Sequence, residues 1–350
     1  MLVFWRTIVL ALWLPVLAGT MACASEGKGI VYVSEEDGNA EIYVVDPESG
    51  DSYAVDSRPS STESSPRWSP DGTYIAFVSG EPGNLHIAVA SSDGKEPVRR
   101  LASSEGTASA GNQESPRWDA DGGQIAYVTD MDGHSDVYVA SHNIGDGEPG
   151  SPVRISSGDT EEFLGDWSPD GQWLVFSRRG GEEAQGLWLR NPAGVNLFQL
   201  TSGNDLAPVW SPDGDAIAFV RNVDGNRDIY LLLPEDDDDW RGPVKVEPLI
   251  ASPEADHSPA WAPDGDTLVY VSERNGNPEI YVVETDDDNP PLRLTTNEAE
   301  DSQPVWSPDG KHIAFVSDLH GEGEIFVMDA DGSNQQRLTH NDARDHSPDW

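Results

Sequence analysis

The sequence predicts an all-β fold, a seven-bladed β-propeller of four-stranded antiparallel blades. Three observations predict it: a tryptophan pentad that recurs along the chain, an apolar run at a fixed distance after it, and turn residues between the runs. The pentad reads Trp68-Ser-Pro-Asp-Gly72 and returns, with small changes, at Trp118, Trp167, Trp210, Trp261 and Trp306, while Trp350 ends the chain within Ser347-Pro-Asp-Trp350. Successive tryptophans lie 50, 49, 43, 51, 45 and 44 residues apart, the period of a propeller blade. The 34 glycines and 26 prolines suit a protein dense in turns, and no long stretch shows helical apolar spacing.

Each copy reads as four strands. The first is short and ends at the tryptophan, as in Pro66-Arg-Trp68. The second starts seven residues later, at Ile75, Ile125, Leu174, Ile217, Leu268 and Ile313, with an additional copy at Ile30. These runs are apolar throughout, which requires both faces to be covered, as they are when a blade is stacked between two others. The third strand reads Ile42-Tyr-Val-Val45 or Ile280-Tyr-Val-Val283, and its weakest copy is Ile87-Ala-Val89. The fourth is short and polar, as in Arg293-Leu-Thr295, which suits an outer edge that must not pair with other chains.

The turns have their own chemistry. In Ser-Pro-Asp-Gly the proline presets φ, the aspartate can bond its own backbone, and glycine takes positive φ at the exit. Asp37-Gly38, Asp132-Gly133, Asp224-Gly225 and Asn275-Gly276 are preferred hairpin pairs between strands two and three. The first copy lacks a tryptophan strand and the last has nothing after it. Residues 346 to 350 are therefore expected to supply the inner strand of the blade formed by residues 29 to 56, closing the ring.

The Trp-Ser-Pro-Asp-Gly-x-x-Ile-Ala-Phe pattern resembles the repeat of the TolB-type, WD40-like propeller family over essentially all of residues 29 to 350. The resemblance is to the propeller portion only. In that family's namesake the propeller follows a small α/β domain and has six blades, so six is the alternative count. The resemblance implies an extracytoplasmic interaction scaffold.

Residues 1 to 24 carry one positive side chain, Arg6, then an apolar run from Thr7 to Ala18 and small residues up to Ala24. That is the layout of a secretory signal peptide, which leaves 25 to 350 as a single propeller domain. Ala22 just before Cys23 also resembles a bacterial lipoprotein signal, which would make Cys23 the lipidated residue. The expected location is the cell envelope, as a lipoprotein, or the periplasm or exterior as a soluble protein.

The charge balance is 21 Lys+Arg against 63 Asp+Glu, a net charge of −42. Such a surface repels nucleic acid and anionic lipid, so any membrane attachment must come through a lipid anchor. The expected partner is a protein, with basic surfaces favoured, or a saccharide, and the propeller is expected to be a monomer. Five residues before the tryptophans stand Glu63, Gln113, Glu162, Asp205, Asp256, Asp301 and Asp345. Six of the seven are acidic, and they can be read as a ring at the channel mouth that binds the ligand. They can also be read as fasteners that take loop N–H groups and hold one blade to the next.

No transition-metal site is expected from His257 and His346, which follow two of these acids, and no cofactor is required. Calcium is the one ion that the acidic runs Glu235 to Asp239 and Asp286 to Asp288 suggest, although both lack the glycine spacing of a calcium loop. No residue is assigned as catalytic. The Gly-x-Ser-x-Gly elbow of propeller peptidases is missing, the Ser-x-Asp-x-Gly box of sialidases does not match, and the eight histidines are scattered. Binding without catalysis is the first expectation. A propeller hydrolase or lyase with a metal-dependent site is the alternative.

Overall fold

The computed structural model describes residues 29–56, 61–81, 83–101, 111–142, 151–156, 160–180, 185–235, 239–287 and 289–350. The expected signal segment and Cys23 lie outside the described residues, as do parts of both acidic runs. Among the described residues, 28 strands form seven antiparallel four-stranded sheets.

Blade 2 shows the plan. Its strands are Thr62–Trp68, Tyr74–Glu81, Asn84–Ser91 and Arg99–Arg100, ordered from the tryptophan strand outward. Blades 3 to 7 repeat it from Gln113, Glu161, Asp205, Asp256 and Asp301. Blade 1 takes three strands from the start of the chain, Ile30–Ser34, Glu41–Val45 and Ser52–Ala54, and its inner strand, Asp345–Asp349, from the end. The register pairs Val31 with Asp349, Val33 with His346 and Ser34 with Asp345. Seven blades and closure by the C-terminal strand are thus both present.

The second strands are apolar throughout because the two faces of each blade belong to different seams. Val31 and Val33 pack with Ile75 and Phe77 of blade 2, while Ile30 and Tyr32 pack with Val316, Ile325 and Val327 of blade 7. The core is therefore a set of interblade clusters, and the aliphatic residue that opens each apolar run, Ile30, Ile75, Ile125, Leu174, Ile217, Leu268 or Ile313, is fully buried. Fully burying one such aliphatic side chain stabilises the fold by about 1.5–3 kcal/mol.

Serine and aspartate lock the pentad turn. Ser69 Oγ donates to Asp71 Oδ1 at 2.6 Å and accepts the Tyr74 N–H at 2.9 Å, while Gly72 N–H reaches Ser69 O at 2.8 Å with φ at 71°. Where the serine is replaced by Asp119, that carboxylate takes the Gln124 N–H directly, at 2.9 Å.

One outer strand departs from the short, polar expectation. In blade 5, Val244–Ile250 runs seven residues against Asn226–Pro234. The reason is a local apolar patch: Val244 and Val246 pack against the cluster holding Trp210 and Trp240.

Candidate binding channel

The acidic position is found at the seams between blades. Glu63, Glu162, Asp205, Asp256, Asp301 and Asp345 are 0–2% exposed, and Gln113 is buried with them. Two long side chains reach the neighbouring blade directly. Glu63 Oε2 accepts the Ile42 N–H at 3.3 Å, and Gln113 Oε1 accepts the Ile87 N–H at 3.0 Å. Asp205 is shorter and is reached through Thr201, whose hydroxyl accepts the Leu187 N–H at 2.9 Å and donates to Asp205 Oδ2 at 2.5 Å.

Around the ring the same clasp gains further members. Thr295 Oγ1 accepts the Ile280 N–H at 3.0 Å and donates to Glu279 Oε2 at 2.6 Å, beside Asp301. Thr339 does the same for Ile325 at 3.0 Å and Glu324 Oε2 at 2.7 Å, beside Asp345. Arginines neutralise three acids: Arg178 on Glu162 at 3.0 Å, Arg221 on Asp205 at 2.7 Å and Arg274 on Asp256 at 2.9 Å. Burial pushes the carboxyls of Glu162, Asp301 and Asp345 upward, against the pull of their hydrogen-bond donors. In this arrangement the carboxylates fasten blades and do not form an open charged rim.

A β-bulge explains why they turn inward. Trp68 pairs with Ile75 and Glu63 with Ser79, but one extra residue is inserted between Ser64 and Arg67. Strand side chains alternate faces, so five residues of separation would set Glu63 opposite Trp68, and the inserted residue restores it to the tryptophan's face. That face looks into the seam. Ser65, at the bulge, has φ of 52°, and Ser115, Ala207, Ser258, Gln303 and Ser347 sit equivalently at 47–55°. Six strained positions around one axis are a concentration of the kind found at ligand sites.

The axial channel is lined instead by the residues just before each tryptophan and their neighbours, around a cavity of about 550 Å³. Four of those preceding residues are charged: Asp349, Arg67, Arg117 and Asp166 in blades 1 to 4. The other three, Val209, Ala260 and Val305, are apolar. Sequence reasoning missed this set. The available signal was the fixed offset of one from the tryptophan, which carries no common chemistry and so does not stand out as a repeat.

Indole N–H groups tie the inner strands together. Trp118, Trp167 and Trp261 donate to the carbonyls of Arg67, Arg117 and Val209 at 3.1–3.2 Å. Among the described residues, no group of three or more His, Cys, Asp or Glu is placed to hold a metal ion.

Seven sheets packed radially around a lined axial cavity define a β-propeller. The chain belongs to the TolB beta propeller domain family, whose model matches residues 14–205, 195–291 and 245–350. A protein TolB homolog of Chlorobium luteolum is 30% identical over 118 residues, covering 33% of this chain and 25% of that protein, so the match spans a quarter of the relative's length. The β-propeller domain of the Trilobed protease from Pyrococcus furiosus superposes with a TM-score of 0.65 at 14% identity, covering 91% of this chain and 96% of that one. An oligogalacturonate lyase in complex with manganese gives a TM-score of 0.65 at 17% identity, covering 86% and 85%. At those identities the likeness is one of fold.

Proposed function

We propose that this protein is an extracytoplasmic, non-catalytic binding scaffold that engages its ligand at the axial channel. The observation that carries the reading is the channel wall itself, where strained backbone, unlike charges and an apolar arc meet in one open cavity. Membership of the TolB propeller family supports a protein partner, and the net charge of −42 favours a basic one. A saccharide across the same opening is the other partner class. The acidic seam residues contribute by holding the blades that shape the channel. Export follows from residues 1 to 24, with Cys23 as the lipid attachment point.

Cross-linking in the native cell envelope, followed by identification of the captured partner, tests this reading. A partner cross-linked at channel residues is expected. Recovery of the protein from the cytoplasm with no envelope partner would overturn the reading.

A catalytic alternative has one specific observation in its favour. Ser258 lines the channel with its Oγ 3.0 Å from His257 Nδ1, while His257 Nε2 lies 3.5 Å from Glu273. Ser347, His346 and Glu35 repeat the arrangement at 3.0 and 3.8 Å. Burial, with Arg227 and Arg344 respectively, lowers both imidazoles, which leaves them neutral bases near pH 7. A fluorophosphonate probe separates the readings: the scaffold leaves Ser258 and Ser347 unmodified, and labelling of either would favour the hydrolase.

A further inference from the structure

The two arginines of the channel are held differently from its two aspartates. The aspartates are committed to backbone: Asp349 Oδ2 accepts the Trp68 N–H at 2.8 Å, and Asp166 accepts the N–H groups of Trp167 and Trp210 at 2.9 and 3.2 Å. The guanidiniums keep most of their donors unspent. Among the described residues, Arg117 makes one hydrogen bond, to Pro116 O at 3.0 Å, and no ion pair. Arg67 bonds Pro66 O at 3.0 Å and lies 3.6 Å from Asp349 Oδ1. Each guanidinium carries five N–H donors, so several on each side chain are available to whatever enters the cavity.

Placement adds to this. A protein with 21 basic residues against 63 acidic ones sets two cations side by side in its channel, on adjacent blades. Burial and the neighbouring Arg67 push the Arg117 guanidinium down to about 10, so it stays charged at neutral pH while lacking a counterion in direct contact. A half-buried cation with free donors is stabilised by an anion. Across the axis, Val209, Ala260 and Val305 present a surface that only an apolar group can cover without losing hydrogen bonds to water.

We propose that the channel is a binding site for an amphipathic monocarboxylate, its carboxylate held by Arg67 and Arg117 and its apolar body laid against Val209, Ala260 and Val305. The planar guanidinium fork matches a carboxylate in geometry. Asp166 and Asp349 flank the arginines and disfavour a doubly charged anion, which argues against phosphate as the ligand. A volume of about 550 Å³ is that of a small-molecule site. This inference rests on the channel being the binding surface, but concerns a small ligand and not the macromolecular partner.

Isothermal titration of the full chain with octanoate, octanamide, octylammonium and inorganic phosphate tests it. Octanoate is expected to bind one to one, octanamide at least about tenfold more weakly, and the other two without measurable heat. Arg117→Gln is expected to weaken octanoate by about tenfold or more while leaving the near-ultraviolet dichroism of the tryptophans unchanged. Silence with octanoate, equal binding of the amide or the amine, binding by phosphate alone, or an unchanged affinity in a folded Arg117→Gln protein would each overturn the proposal. Should that variant fail to fold, the four wild-type titrations decide. Envelope cross-linking reads the macromolecular partner separately, so either result can fail while the other stands.

Discussion

Trp68 donates its backbone N–H to Asp349 Oδ2 at 2.8 Å, across 281 residues of sequence. The contact joins the inner strand of blade 2 to that of blade 1, and the latter is the last strand of the chain. Deleting residues 345 to 350 removes the pairing partner of Ile30–Ser34 and uncovers part of the seam between blades 7 and 1. Lost strand pairing plus exposed apolar surface should lower the melting temperature by roughly 10 °C in differential scanning calorimetry. A melt within about 2 °C of the full chain would mean that the ring does not depend on this strand.

Thr295 is fully buried and satisfies two polar groups from one atom, the Ile280 N–H and the Glu279 carboxylate. Valine has the same shape and neither bond. Thr295→Val should cost about 1–3 kcal/mol in urea unfolding, because a buried donor and a buried carboxylate both lose a partner, and Thr295→Ser should restore most of it. If valine were tolerated as well as serine, the seam clasp would contribute nothing to stability.

The sequence announced the blades through residues whose role is fixed by composition alone. An all-apolar run such as Ile75-Ala-Phe-Val78 has one stable environment, between two other sheets, and it occupies that environment. The acidic position was equally visible as a repeat, but its direction depended on the bulge at Ser65, which reverses the alternation within the tryptophan strand. No residue type encodes that bulge. Serine, alanine and glutamine all occupy the positive-φ site, so the face on which Glu63 lies could not be read without the register. The channel set was obscured for a related reason: Arg67, Asp166 and Val209 share a place in the fold and no chemistry.

Trp240 shows what a local composition can hide. It follows the acidic run Glu235 to Asp239, yet it is buried, its ring 4.6 Å from that of Trp210 and its Nε1–H donated to Gly214 O at 3.1 Å. It anchors the connection leading to the long outer strand of blade 5. Trp240→Ala should destabilise by about 3–5 kcal/mol through lost burial and the cavity left behind, measured by chemical denaturation. A loss below about 1 kcal/mol would show that the loop folds back without it.

Acidity should stabilise this propeller over a window set by its seam carboxyls. Burial raises Asp301, against hydrogen bonds from Ser317, Asn297 and Thr295, with Glu279 adding to the rise. Asp345 is raised in the same way, opposed by Ser34, Thr339 and Asn341 and reinforced by Glu324. A carboxyl raised above its unfolded value of about 3.9 holds its proton more tightly when folded, so its contribution is fully present below that value. The contribution is lost as pH climbs through the raised folded value. Melting temperature should therefore fall as pH is taken from about 4.5 to 8, in the same direction as self-repulsion at a net charge of −42. Asparagine keeps the shape and removes the titration, so the Asp301→Asn, Asp345→Asn double variant should show a shallower slope and be at least as stable as wild type at pH 8. Matching slopes for the two proteins would show that these two carboxyls do not set the pH dependence.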